Sequence, residues 1–125
     1  NDCIFGGYTD QHWGSPVSKG GVYKRSNSSF LFSLLNKDNL APFIANIKQG
    51  GEHHAIICNS RYGPVFGGRD IDLYICNNPQ TNQSSHSHFG CTYQLPPGYV
   101  CGSKQAMDPL AGQFQFLTTE IEVFN

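Results

Sequence analysis

Charge is scarce in this sequence, and the scarcity removes whole classes of partner. Only 14% of the 125 residues are Asp, Glu, Lys or Arg, and the formal net charge is -1. So few cations cannot assemble a broad basic face that holds phosphates through counterion release, which excludes nucleic acid as a partner. Long apolar runs are lacking too. Phe30-Leu31-Phe32 and Ala55-Ile56-Ile57-Cys58 fall far short of the ~20 residues that cross a bilayer, so membrane insertion is not expected. There is no nucleophile elbow, no His-Glu-x-x-His helix and no phosphate loop, and the chain is expected to bind rather than to catalyse. No Cys-x-x-Cys pair is present to start a tetrahedral zinc site. Internal repeats, heptads and low-complexity tails are also missing.

What the sequence does contain is punctuation. Fourteen glycines and seven prolines fall between short runs of β-branched and aromatic residues about every ten positions, the rhythm of an antiparallel β-sandwich. The length suits one domain spanning 1–125. Strands are expected at 30–35, 54–59, 72–76, 90–94, 99–102, 112–117 and 120–124. In Asp72-Leu73-Tyr74-Ile75 and Glu120-Ile121-Glu122-Val123-Phe124, polar and apolar residues alternate, so one face packs inward while the other meets solvent. Residues 39–48 carry Leu40, Phe43, Ile44 and Ile47 at helical spacing, with Pro42 tolerable only in a first turn. A short helix or an irregular loop is expected there, and it is the fold's one candidate helix.

Five cysteines and two glycosylation sequons, at Asn27 and Asn82, fit an oxidising compartment better than the cytosol. A first residue that is Asn rather than Met suggests a secreted, mature chain whose signal peptide has been removed. Cys91 and Cys101 flank Pro96-Pro97-Gly98 symmetrically, and a disulfide between them is expected. Cys58 and Cys76 flank Gly67-Gly68 in the same way. They are either a facing pair on adjacent strands or two small buried hydrophobes. Cys3 is left over, which offers a route to a homodimer.

Several segments together resemble the extracellular TLDc-like domains of cnidarians and other aquatic animals. They are Phe5-Gly6-Gly7-Tyr8-Thr9-Asp10 with Trp13, Phe30-Leu31-Phe32-Ser33-Leu34, Tyr62-Gly63-Pro64 with Phe66-Gly67-Gly68, and Asp72-Leu73-Tyr74-Ile75. Pro96-Pro97-Gly98-Tyr99, Leu110-Ala111-Gly112 and Glu120-Ile121-Glu122-Val123-Phe124 complete the set. The resemblance implies a sandwich of antiparallel sheets and no settled enzymatic activity. Such domains include calcium-dependent, galactose-specific, homodimeric lectins of sea anemones, to which this chain is similar in size and secreted character. That likeness alone implies calcium as cofactor and galactose-terminated glycans as partners. The chain departs from the family pattern at Glu52-His53-His54, at His86 and His88, in an Arg69-Asp70-Ile71 turn one residue longer, and at Cys91 and Cys101. The last departure supports pairing those two cysteines with each other.

A lectin-type calcium needs six to eight oxygens, some of them left for sugar hydroxyls. Asp70 and Asp72 are two apart, which on a strand sends both carboxylates to one side. They are the first metal candidates, with Asn59 as a further oxygen ligand and Arg61 and Arg69 as sugar-binding cations. The alternative is that the acids solvate a strand start and the arginines are their surface partners. A second group, Glu52, His53, Asn77, Asn78 and His86, is expected at the opposite end of the sandwich, where carboxylate, carboxamide and imidazole can hydrogen-bond sugar hydroxyls; as zinc or copper ligands, His86 and His88 lack an obvious third partner, and exposed loop histidines are the favoured reading. Trp13 is either a stacking platform for a sugar ring or a core residue, and its place in the family pattern favours the core.

Overall fold

The computed structural model describes residues 2–14, 21–59 and 61–124. Among these residues, seven short strands form two antiparallel sheets. The first sheet holds β1 (Ile4–Tyr8), β3 (Phe30–Leu35) and β4 (Phe43–Asn46), in the order β1-β3-β4. The second holds β2 (Val22–Lys24), β5 (Ile56–Cys58), β6 (Val65–Phe66) and β7 (Leu73–Tyr74), in the order β2-β5-β6-β7. No α-helix occurs among the described residues; two 3-10 turns, Glu52–His54 and Lys104–Met107, complete the elements. The all-β sandwich read from the punctuation is the fold observed, and no described helix is long and apolar enough to cross a membrane.

The core forms where the sheets meet. In β3 the two-residue period turns Leu31 and Ser33 inward, and Leu31 faces Ala45 across the β3–β4 ladder. These pack with Ile56, Cys58, Phe66 and Leu73 of the other sheet. Gly7 marks the closest approach: a Cβ there would fall on the Phe66 ring, so glycine lets the sheets touch. Phe89, Tyr93, Leu95, Leu110 and Phe116, contributed by the long carboxy-terminal half, close the cluster. Trp13 lies edge-on to Phe66 at 5.3 Å while keeping about a third of its surface exposed.

The expectations for several segments need correction. Residues 43–46 of the suspected helix are a strand. Pro42 lacks the N–H a helix needs, and Asn36 stops the chain first, accepting from the Leu40 amide (2.9 Å) and donating to the Leu40 carbonyl (3.2 Å). Two of the residues at helical spacing lie on opposite faces of this strand, Phe43 half-buried against the core and Ile44 exposed. Residues 90–94, 99–102, 112–117 and 120–124 form no strand. In the first of these the amides are drawn to a side chain, described below. In 99–102, Tyr99 N bonds Pro96 O and Ser103 N bonds Val100 O, closing successive turns. Residue Gln115 reaches the second sheet through a single bridge to His86. Residues 120–124 are all exposed, Val123 and Phe124 most of all, and their alternation has no core to face.

Candidate functional site

The β6–β7 turn, residues 67–72, is built around a buried carboxylate. Gly67, at φ +103°, sits where a side chain would strike that carboxylate, so only glycine serves. Asp72 has no exposed surface. Its Oδ2 accepts from the amides of Gly90 (3.0 Å), Cys91 (3.1 Å) and Tyr93 (3.0 Å), and its Oδ1 from Thr92 (3.0 Å). Burial pushes the Asp72 carboxyl up to about 6, against the pull of these four amides. The amides of 90–93 therefore converge on one side chain instead of pairing with a neighbouring strand. Charge-assisted hydrogen bonds of this kind are stronger than ordinary ladder bonds.

The same knot carries a second segment against the turn. His88 N donates to Ile71 O (3.0 Å) and Ser87 Oγ to Asp72 O (3.0 Å). His86 exchanges backbone bonds with Tyr74 at 2.9 and 3.1 Å, and its ring stacks on Phe114 at 5.2 Å. A shallow depression of about 250 Å³ results, lined by Arg69, Asp70, Ile71, His86, His88 and Phe114. It joins an exposed aromatic ring, a carboxylate, a guanidinium and two imidazoles. Another depression, lined by Asp38, Gly98, Tyr99, Gln105 and Asp108, has its carboxylates already engaged. Asp38 accepts from the Tyr99 hydroxyl at 2.6 Å and Asp108 pairs with Lys37 at 3.0 Å.

At one margin of the first depression, Cys91 Sγ lies 3.5 Å from His88 Nδ1 and 3.1 Å from Cys101 Sγ. A thiol beside an imidazole is the geometry of a cysteine nucleophile, but such a nucleophile needs a lowered pKa. Here burial, then the Cys101 thiol, then the negative charges of Asp72 and Asp70 push the Cys91 thiol up to about 12. A thiol kept protonated in this way is a poor nucleophile.

The expected site residues are regrouped by the strand order. Arg69, Asp70 and His86 meet in the depression, although His86 was expected at the opposite end. Asn59, Arg61 and Asn77 gather elsewhere: Asn59 Oδ1 accepts from the Arg61 amide (3.0 Å), and Asn77 Nδ2 donates to Arg61 O (2.9 Å). Glu52 turns back on the Gly50 amide and His53 meets Arg25 at 3.0 Å, so neither lines the depression. The physical reason is β6. The grouping rested on one of the two readings of Cys58 and Cys76, a single hairpin joining them, but the chain crosses the sheet three times, as β5, β6 and β7. The extra reversal puts 59–62 beside 77 and sends the 69–70 turn to the other end.

The same strand separates the second pair of cysteines. β6 lies between β5 and β7, so Cys58 and Cys76 are about two strand spacings apart, roughly 10 Å, and cannot bond. Each is a buried thiol with its own partner, His12 O for Cys58 and Asn82 O for Cys76. Cys91 and Cys101 are brought together as neighbouring free thiols.

The donors do not fit calcium. Asp72 is saturated by amides, Asn59 is at the other end of the sheet, and Asp70 brings with it imidazole and thiol groups rather than five or more further oxygens. Sequence reasoning considered His88 and set it aside for want of a third ligand, and it missed Phe114 altogether. Its alternation with His86 was a usable signal, whereas nothing local marks Phe114 as their neighbour.

Two packed antiparallel sheets, with a site carried on the turns of one sheet and the long segment that follows it, define a small all-β domain whose scaffold and site are separable. Residues 1–125 match the family model of the TLDc domain, and the chain belongs to that family. No curated protein and no solved structure is similar enough to match it.

Proposed function

We propose that this domain is a non-catalytic carbohydrate-binding module of the extracellular space, a lectin that takes terminal galactose of glycans in the Arg69/Asp70/His86 depression. The observation that carries the reading is the exposed Phe114 ring, backed by His86 and set beside Asp70 and Arg69. Galactose has one face with a contiguous C–H patch, left by its axial 4-hydroxyl, that suits an aromatic ring. Its neighbouring hydroxyls suit a carboxylate that accepts and a guanidinium that donates. The likeness to sea-anemone lectins supports the choice of galactose, and Cys3 is the proposed link between two chains that would give avidity for a cell surface.

A glycan array followed by galactose titration tests the reading. Galactose-terminated glycans are expected to bind equally with and without added calcium, since the donor set is wrong for that ion. Phe114→Ala and Asp70→Asn are each expected to weaken binding at least tenfold. An array with no glycan bound, or full binding by Phe114→Ala, would overturn it. A second reading, a structural or protein-interaction module, is favoured by the apolar groups that Ile4, Leu34, Leu35 and Ile44 of the first sheet turn to solvent. In that case glycan binding is absent while a protein partner is retained.

A further inference from the structure

The corner between the β6–β7 turn and residues 88–91 sets Asp70 of the depression beside an imidazole and two thiols on which the proposed sugar recognition does not draw. The ligand atoms of Asp70, His88 and Cys91 all lie within 4.8 Å of one another. Cys101 Sγ adds a second thiol 3.1 Å from Cys91 Sγ, and His88 Nδ1 is 3.5 Å from that sulfur. We infer that the reduced chain binds one zinc ion here, through Cys91 Sγ, His88 Nδ1 and an Asp70 oxygen, with Cys101 Sγ as the fourth ligand.

The argument is first geometric. Zinc bonds of ~2.3 Å to sulfur and ~2.0 Å to nitrogen, in a tetrahedron, separate neighbouring donors by roughly 3.3–3.8 Å. The 3.5 Å between Cys91 Sγ and His88 Nδ1 already matches, and the 3.1 Å between the two sulfurs has to open by roughly 0.7 Å to the ~3.8 Å of two zinc-bound thiolates. The donor chemistry agrees. Thiolate and imidazole select zinc over calcium or magnesium, and one carboxylate completes a mixed set. The frame is also stiff. The Cys91 amide is fixed to Asp72 Oδ2 at 3.1 Å and the His88 amide to Ile71 O at 3.0 Å. The buried carboxylate thus ties the backbone that carries Asp70 to the backbone that carries His88 and Cys91. The sequence hid this site because its donors come from three separate loops with no Cys-x-x-Cys start.

A Cys91–Cys101 disulfide would consume the same sulfurs, so ion and disulfide exclude each other. Asp70 and His88 belong to both readings, but Cys91 and Cys101 do not line the depression and Phe114 is not among the ligands, so the two can fail separately.

Cobalt(II) is the probe, added to the full chain kept reduced with a phosphine and then displaced by zinc. One equivalent is expected to give a thiolate-to-cobalt charge-transfer band and a tetrahedral visible spectrum. Cys91→Ser is expected to abolish the band and His88→Ala to weaken cobalt binding at least tenfold, whereas Cys58→Ser, altering a remote thiol, leaves both unchanged. Cys101→Ser, which cannot form the disulfide, is expected to retain a weaker band without any reductant. Phe114→Ala is expected to keep the cobalt spectrum intact, so loss of sugar binding and loss of metal binding are told apart. Absence of the band both in the reduced chain and in Cys101→Ser overturns the inference, as does a band that survives Cys91→Ser.

Discussion

At Asp72 one carboxylate organises four consecutive amides, and the consequences run through the site. A carboxamide there keeps the shape but replaces one acceptor oxygen with a donor, so at least the Thr92 amide faces an N–H instead of a lone pair. Asp72→Asn is expected to cost about 2–4 kcal/mol, because buried amides lose their acceptor and cannot reach water. Urea unfolding of the two chains checks this, and a shift under ~0.5 kcal/mol would contradict it. Tyr99 offers a titration instead. The hydrogen bond its hydroxyl donates to Asp38, with some burial, pushes the phenol up to about 12, against about 10 for a free tyrosine. Because the folded value is the higher one, the contact contributes in full below about pH 10 and is lost as the pH rises through about 12. Burial also raises Tyr93 and Tyr74, so tyrosinate absorbance is expected to show several late-titrating tyrosines, of which the Tyr99 part moves towards about 10 in Asp38→Asn.

Among the elements, the sheets depend on what is missing from β1. Gly7→Val would drive a branched side chain into the Phe66 ring and pry the two sheets apart. It is expected to cost about 1–3 kcal/mol in thermal unfolding, as overpacked cores do. Gly14→Ala, where a Cβ meets nothing within 4 Å, is the control and is expected to be neutral. β4 carries a different lesson. Its apolar positions imitate a helix because Ile44 stays apolar on the exposed face while Ala45 points inward. Periodicity reports burial only when the exposed face is polar. Residues 90–93 have composition suited to a strand, yet their amides bond to Asp72, an acceptor distant in sequence that no local pattern announces.

For the whole molecule, the five thiols sort by environment. Cys58 and Cys76 are buried in the second sheet, Cys91 and Cys101 face each other, and Cys3 lies half-buried near the chain start, beside Gly112. If Cys3 links two chains, non-reducing electrophoresis is expected to show a dimer that Cys3→Ser converts to monomer. A monomer in the parent chain, or a dimer that persists in the variant, would contradict that link.

By itself the sequence determined the class of fold. Turn residues at close intervals, and a strand at 30–35 between them, are encoded within a few residues, and local backbone geometry reads them out directly. It also marked Arg69, Asp70 and His86 as chemistry-bearing residues. Only the tertiary structure decided which of them meet. One short strand, Val65–Phe66, reverses the chain and exchanges the ends at which the loops emerge. One buried carboxylate, Asp72, draws a distant segment onto the turn and so brings His88 and Cys91 to the site, while Phe114 arrives through the Ser87 amide and the bridge of Gln115 to His86. Such contacts join residues far apart in sequence, and their energy is gained only after the chain has closed on itself.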